Sequence, residues 1–257
     1  MSSAKQWIAF LAIVRVEVQR IFRMWTQTIL APALTSALYF LIFGKVIGQR
    51  MGSWDGHSYL KFIAPGLVMM SMIISSYDHT GFAFYLARFQ RCIEEMLVSS
   101  MKNLTMLLGY VAGGVIRGLI VALVISMVAL LLVDIQFYSL VVIITMAVLV
   151  CTLFSLVGMI NAIYAKTFDG IAFIPTFVLT PMSFLGGVFY SVQQLAPFWR
   201  TLSFFNPITH FIEVFRYGFL GIQTPYLKET YIGLSGLILV VFFYVAYLIR
   251  IGKGIKT

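Results

Sequence analysis

Charge is what this sequence has least of. Only 11% of its 257 residues are Asp, Glu, Lys or Arg, against about 25% in a soluble domain, while 61% are hydrophobic and the mean hydropathy is +0.96. Such a surface cannot be kept in water, and no polar block is large enough to make a separate soluble domain. The two cysteines, Cys92 and Cys151, fall in a loop and in an apolar run and are not expected to meet as a disulfide. The motifs of soluble chemistry are missing too. With no HExxH, no cysteine pair at ligand spacing and no carboxylate cluster, no metal site is expected, and no GxSxG elbow supports a nucleophilic serine. The tail GKGIKT has the letters of a phosphate-binding loop without the GxxxxGK(S/T) spacing, so ATP is not expected to bind by that route. The opening residues do not form the charged start, short apolar core and cleavage site of a removable signal peptide.

What is present is one apolar run after another. Residues 26–47, 62–86, 107–133, 138–164, 171–190 and 231–251 are each long enough to cross a hydrocarbon core of about 30 Å. Each is continuous rather than alternating, which predicts helices and not barrel strands. Residues 1–25 differ. On a helical wheel Trp7, Phe10, Leu11, Val14, Val18, Ile21, Phe22 and Trp25 share one arc, and Arg15, Gln19, Arg20 and Arg23 share the other. A helix of this kind lies flat in the interface, with Arg15, Arg20 and Arg23 toward anionic headgroups. The expected fold is therefore all-α and integral to the membrane, a single transmembrane domain over residues 1–257. The net charge of +9 is spread over the ends of the runs, which argues topology rather than nucleic acid. With the N-terminus inside, eleven basic residues lie on the inner side (Lys5, Arg15, Arg20, Arg23, Arg88, Arg91, Lys102, Lys166, Arg250, Lys253, Lys256). Six lie outside (Lys45, Arg50, Lys61, Arg200, Arg216, Lys228). Both termini are expected to be cytoplasmic.

Two connections are long enough to do work. The inner loop, residues 87–106, carries the acidic pair Glu94 and Glu95, the apolar Met96, Leu97 and Val98, and then Ser99, Ser100 and Asn103 as possible caps for the next helix. Two readings stand on the residues alone: the acidic pair docks into a partner's groove, or it is solvated and pairs weakly with Arg88 and Arg91. Charges within the runs are sharper signals, because each costs about 2.5 to 3.5 kcal/mol at a helix centre on insertion scales. Asp78 in the second run and Arg117 in the third fall at similar depth, with His79 beside them. An Asp78–Arg117 ion pair is expected, the alternative being that Arg117 snorkels to the interface.

The outer stretch, residues 181–221, is the most unusual. It passes Gly186-Gly187, reaches Phe189, Tyr190, Pro197, Phe198 and Arg200, and ends in an amphipathic segment broken at Asn206-Pro207. The expectation is a re-entrant pair of short helices within residues 191–230 that need not cross the bilayer, acting as an outer lid. On its second helix Glu213 and Arg216, three residues apart, would pair on the solvent face.

These segments together resemble the membrane subunit of an ABC-2 type (type V exporter-like) transporter, a family that includes drug, polysaccharide and nodulation-factor exporters. The likeness covers the whole chain. Its most specific piece is NPITHFIEVFR, with Pro207, Ile208, His210 and Arg216 at the family's spacing after LGGVFY, and IEEMLVSSM resembles the family's coupling segment. The resemblance implies two copies of this small inner-membrane permease over two separately encoded ATPase subunits, which hold the ATP and magnesium. Transport would then be outward, with no catalysis in this chain. It implies coupling through Ile93, Glu94, Glu95, Met96, Leu97, Val98, Ser99 and Ser100, and an outer gate at Gly186, Gly187, Phe189, Tyr190, Pro207, His210 and Arg216. It tips the weighing of Glu94 and Glu95 toward docking. For a lipid-like, glycolipid or amphipathic cargo, Met69, Met70, Met72, Ser75, Ser76 and Tyr77, and residues 173–185, offer soft contacts, unless they simply pack helix on helix. The alternative function is an ion-coupled secondary transporter, which would need a chain of buried acids where only Asp78 stands clearly inside.

Overall fold

In the computed structural model, the structure describes residues 3–47, 53–54, 57–98, 101–133, 135 and 137–252. Helix α1 spans Ser3–Arg23. Among the described residues, six helices long and apolar enough to cross a membrane follow: α2 (Thr26–Gly44), α3 (Tyr59–Phe89), α5 (Asn103–Leu132), α6 (Leu140–Tyr164), α7 (Phe168–Leu185) and α10 (Leu227–Ile251). Between them lie α4 (Cys92–Val98) on one side and α8 (Pro197–Phe204) with α9 (Pro207–Leu220) on the other. A two-residue antiparallel ribbon pairs Ser53 with Ser58 and Trp54 with His57.

Helix α3 is the axis of the fold. Of its most apolar stretch 78% is buried against the rest of the chain, against 17 to 44% for the other five spans, so the outer faces of those five are left for lipid or another chain. The centre packs by small residues rather than by bulk, as expected where lipid tails remove the hydrophobic drive between helices. A side chain at Gly114 of α5 would strike Thr80 of α3 and Ser155 of α6, and one at Gly118 would strike Cys151. Gly158 of α6 lies against the Tyr77 carbonyl of α3. Around this seam Met69, Met72, Ile73 and Tyr77 are fully buried. Met69, Met70, Met72, Ser75, Ser76 and Tyr77 are all buried within the chain, in keeping with the helix-on-helix reading of the two.

Helix α1 seats on α5 through a second small-residue row. Ile13, Glu17 and Ile21 repeat every four residues and are its buried face. Ile13 packs on Gly109 and Glu17 on Gly113, which are themselves four apart. Gln6 Oε1 accepts from Lys102 N at 3.1 Å and from Thr105 Oγ1 at 2.7 Å, fastening the start of α1 to the start of α5. The apolar arc expected to lie face down is only partly used inside the protein: Trp7, Leu11, Phe22 and Trp25 remain exposed. An exposed apolar flank on a helix with exposed Arg15 and Arg23 suits the membrane interface.

Helix α7 contains Pro175 and Pro181, neither of which can donate a backbone N–H. Its turns widen over Pro175–Leu179, where the Thr180 hydroxyl donates to the Pro175 carbonyl at 2.8 Å. The chain then turns at Gly187, whose φ of +83° favours glycine. The expected outer helical pair forms as α8 and α9, but the two halves differ. In α8 Phe198, Trp199, Leu202 and Phe204 are exposed. In α9 Ile208, Phe211, Ile212, Val214, Phe215 and Phe219 are buried among α3, α6 and α7. The second helix is packed into the core, while the first lies on the surface.

Candidate functional site

The fold brings the sequence-singled residues together in three places. The first is the α9 anchor. Asn206 caps the helix: its Oδ1 accepts from Ile208 N at 3.1 Å while Nδ2 donates to the Met182 carbonyl of α7 at 2.6 Å. Thr209 Oγ1 donates to Ser203 O at 2.9 Å, Ser203 Oγ to Leu185 O at 3.0 Å, and His210 Nε2 lies 2.9 Å from Phe204 O. Pro207 starts the helix without losing a hydrogen bond, since the first-turn N–H groups have no helical acceptor. Arg216 is 6% exposed. Its Nη2 donates to Gly187 O at 2.8 Å, its Nε to Phe62 O at 3.3 Å, and the guanidinium lies 3.8 Å from the Phe62 ring centre. The expected Glu213–Arg216 pair on a solvent face is therefore corrected: Arg216 points inward and ties α9 to α3 and to the Gly187 turn. Burial lifts the Glu213 carboxyl above the usual carboxylate range, against the lowering pull of His210 and Arg216. Phe189 stacks on Phe43 at 4.4 Å, flanked by Tyr39 and Phe184, and its carbonyl accepts from Tyr59 OH at 2.9 Å. Gly186 is buried and Tyr190 half-buried beside this knot.

The second place is the other end of α3. Arg88 reaches the carbonyls of Ile163 and Ala165 at the end of α6, and Tyr85 OH donates to Lys166 O at 3.3 Å. Engaged there, Arg88 is not available as the solvated partner expected for Glu94 and Glu95. Arg91, with φ of +60°, breaks the helix, and α4 begins one residue later. Ile93 is buried and roots α4 in the core, while Glu95 and Val98 are exposed, Val98 at 89%. Met96 is half-buried. Ser99 and Ser100, and the side chains of Glu94 and Leu97, lie outside the described residues.

The third is a polar cavity of about 390 Å³ between α1, α2, α3, α5 and the start of α7. Arg20, Asp78, His79 and Arg117 all line it. Asp78 and Arg117 share the space, but among the described residues they form no direct ion pair, and Asp78 Oδ1 and Arg117 Nε have no hydrogen-bond partner there. The expected Asp78–Arg117 pair is corrected on this point. The acid that does pair is Glu17 of α1, 1% exposed. Its Oε2 lies 2.9 Å from Arg20 Nη1 and 3.1 Å from His79 Nε2. Sequence reasoning missed Glu17 because it sits among Arg15, Gln19, Arg20 and Arg23. The available signal was the four-residue match between Ile13-Glu17-Ile21 and Gly109-Gly113, with His79 as a span residue in need of a partner. Glu17→Ala should lower folding stability by about 2 kcal/mol, less than loss of a fully buried pair because the Arg20 side chain is 31% exposed. Glu17→Gln, still able to accept, should cost less. Thermal unfolding of the purified chain in detergent checks both.

A family model described as ABC-2 type transporter matches residues 8–220. The chain is 45% identical over 252 residues to the inner membrane transport permease YadH of Escherichia coli strain K12, covering 98% of each. It is 27% identical over 208 residues to nodulation protein J of Rhizobium leguminosarum bv. viciae, covering 79% of this chain and 80% of that one. To nodulation protein J of Rhizobium meliloti the identity is 28% over 208 residues, 79% of each. The matched region takes in α1, the α3–α4–α5 connection and the α8–α9 hairpin, and the chain belongs to the ABC-2 type transporter family.

Proposed function

We propose that this chain is the permease of an ATP-driven exporter in a bacterial inner membrane, working as two copies over two ATPase subunits, with both termini cytoplasmic. The cargo class is lipid-like, glycolipid or amphipathic. ATP hydrolysis, with its magnesium, belongs to the partner.

The observation that carries the reading is the rooting of α4. A seven-residue helix that presents Glu95 and Val98 outward is fixed at Ile93 to the end of the most buried helix, and that end is locked to α6 through Arg88. A push on α4 therefore moves α3 and α6 as one body rather than bending a loop, which is what a device driven by ATPase closure requires. Helix α1, fastened to α5 by Gln6, supplies a second contact on the same side. On α7 the face of Phe173, Phe177 and Phe184 is exposed, Phe173 stacked on Phe177 at 5.0 Å. In an assembled pair that face would line the route or meet the second copy, and its aromatic character suits an amphipathic cargo.

Two measurements test this. The tagged chain should bring down an ATPase at about equal stoichiometry, and in the reconstituted complex a panel of lipids, glycolipids and amphipathic drugs should include compounds that stimulate ATP hydrolysis. Reversing both acids, Glu94→Lys with Glu95→Lys, should abolish stimulation or assembly. A normal complex with normal coupling in that variant would remove α4 from the mechanism, and proton-coupled transport by the chain alone would replace the whole reading with a secondary transporter.

A further inference from the structure

The polar cavity has a charge pattern that its own residues do not complete. Glu17 Oε2 is bonded to Arg20 and lies 3.1 Å from His79 Nε2. Arg117 and Asp78 face the same 390 Å³ space without touching, and a buried atom of each has no partner among the described residues. A charged group in a low-dielectric setting is stable only when paired or hydrogen-bonded, so this pair of opposite charges needs something between them. The volume has room for roughly a dozen waters at about 30 Å³ each, more than is needed to bridge two side chains.

Three further features define the occupant. Of the charged residues that line the cavity, Arg20 is offset by Glu17 behind the wall, and Arg117 and Asp78 remain as one positive and one negative charge. This is a separated plus and minus, complementary to a zwitterion. The cavity wall is completed by Arg20, Ile21 and Met24 of α1, the helix whose exposed apolar flank suits a lipid surface. Finally, its edge carries Met24, Phe82 and Phe168, all exposed, an apolar border along which acyl chains can lie.

We propose that this cavity binds a phospholipid with a phosphoethanolamine headgroup, the phosphate on Arg117 with Arg20 at the rim and the ammonium on Asp78. Guanidinium is the side chain best matched to phosphate oxygens, and a primary ammonium brings three N–H donors to the Asp78 carboxylate that lines the cavity. A choline headgroup carries the same charges without those donors, and a glycerol headgroup lacks the positive charge. The ranking of these three lipids is the signature of the site. It does not presuppose that the bound lipid is cargo, and ATPase stimulation by lipid reads that separate question.

The test is native mass spectrometry of the full-length chain released from detergent with phosphatidylethanolamine, phosphatidylcholine or phosphatidylglycerol of identical acyl chains. One phosphatidylethanolamine per chain should be retained about tenfold more than either of the others, the effect of one charge-assisted hydrogen-bond set. Asp78→Asn should erase the preference over phosphatidylcholine while leaving lipid bound, and Arg117→Gln should weaken retention of all three. Equal retention of the three lipids, a preference for phosphatidylglycerol, or no retained lipid would each overturn the proposal in the unaltered chain, with no variant needed. Displacement of the lipid by an equal concentration of soluble phosphoethanolamine would assign the site to a soluble amine phosphate and overturn the lipid source.

Discussion

Arg216→Leu should be among the most damaging single changes in the protein, lowering folding stability by about 3 kcal/mol or more. Two hydrogen bonds from a charged donor are lost, at roughly 1.5 to 3 kcal/mol each, together with a cation–π contact worth up to about 2 kcal/mol when desolvated. The Gly187 and Phe62 carbonyls that they satisfied are left without this donor. At about 2 to 4 °C per kcal/mol for a chain of this size, the apparent unfolding temperature in detergent should fall by about 6 to 12 °C. Arg216→Lys should restore less than half of it, because an ammonium cannot reach two carbonyls and lie flat on the Phe62 ring at once. An unfolding temperature unchanged in Arg216→Leu would mean that α9 is held by its apolar face alone.

The second large effect is expected at Gly158. A Cβ there would run into the Tyr77 carbonyl of α3, with the Tyr77 carbonyl carbon at 3.2 Å and Gly81 N at 3.3 Å. These are backbone atoms, so no rotamer change relieves the clash and the two central helices must separate. Gly158→Ala should cost about 2 to 3 kcal/mol, at the upper end of the usual overpacking range, and should reduce the yield of folded protein in the membrane fraction. Two other glycines serve as controls. At Gly81 the added Cβ would find its nearest contacts at 3.5 Å, an ordinary distance, so Gly81→Ala should be close to neutral. At Gly233 nothing lies within 4 Å, and Gly233→Ala should stabilise α10 by about 0.5 to 1 kcal/mol through lost chain entropy. If Gly158→Ala were tolerated as well as the other two, the close α3–α6 approach would not be what makes this position sensitive.

Much of this architecture was legible in the chain. Six runs of sufficient length and continuity become six candidate spans, because a helix in lipid satisfies its backbone only within itself and so must write its length in apolar residues. The helix breaks at Asn206-Pro207 and near Gly187 were legible for the same local reason, since proline lacks an N–H and glycine admits a positive φ. The likeness carried by NPITHFIEVFR and IEEMLVSSM pointed to the family that the comparisons establish.

The partners of the charged residues were not legible. Arg216 in the sequence is one side of an i,i+3 pair with Glu213, and only the packing of α9 against α3 turns it inward to the carbonyls of Phe62 and Gly187, 154 and 29 residues away. Asp78 and Arg117 share a depth by residue count, yet in three dimensions His79 meets Glu17, and Asp78 and Arg117 are left facing a cavity. Sequence by itself determined which segments enter the membrane, where they break, and that charges stand inside them, because those properties are set by hydration cost and local backbone geometry. Tertiary structure alone decided which charges meet a partner within the chain and which are left facing a cavity, because that depends on how closely glycine rows let the helices approach, a quantity written in no single helix.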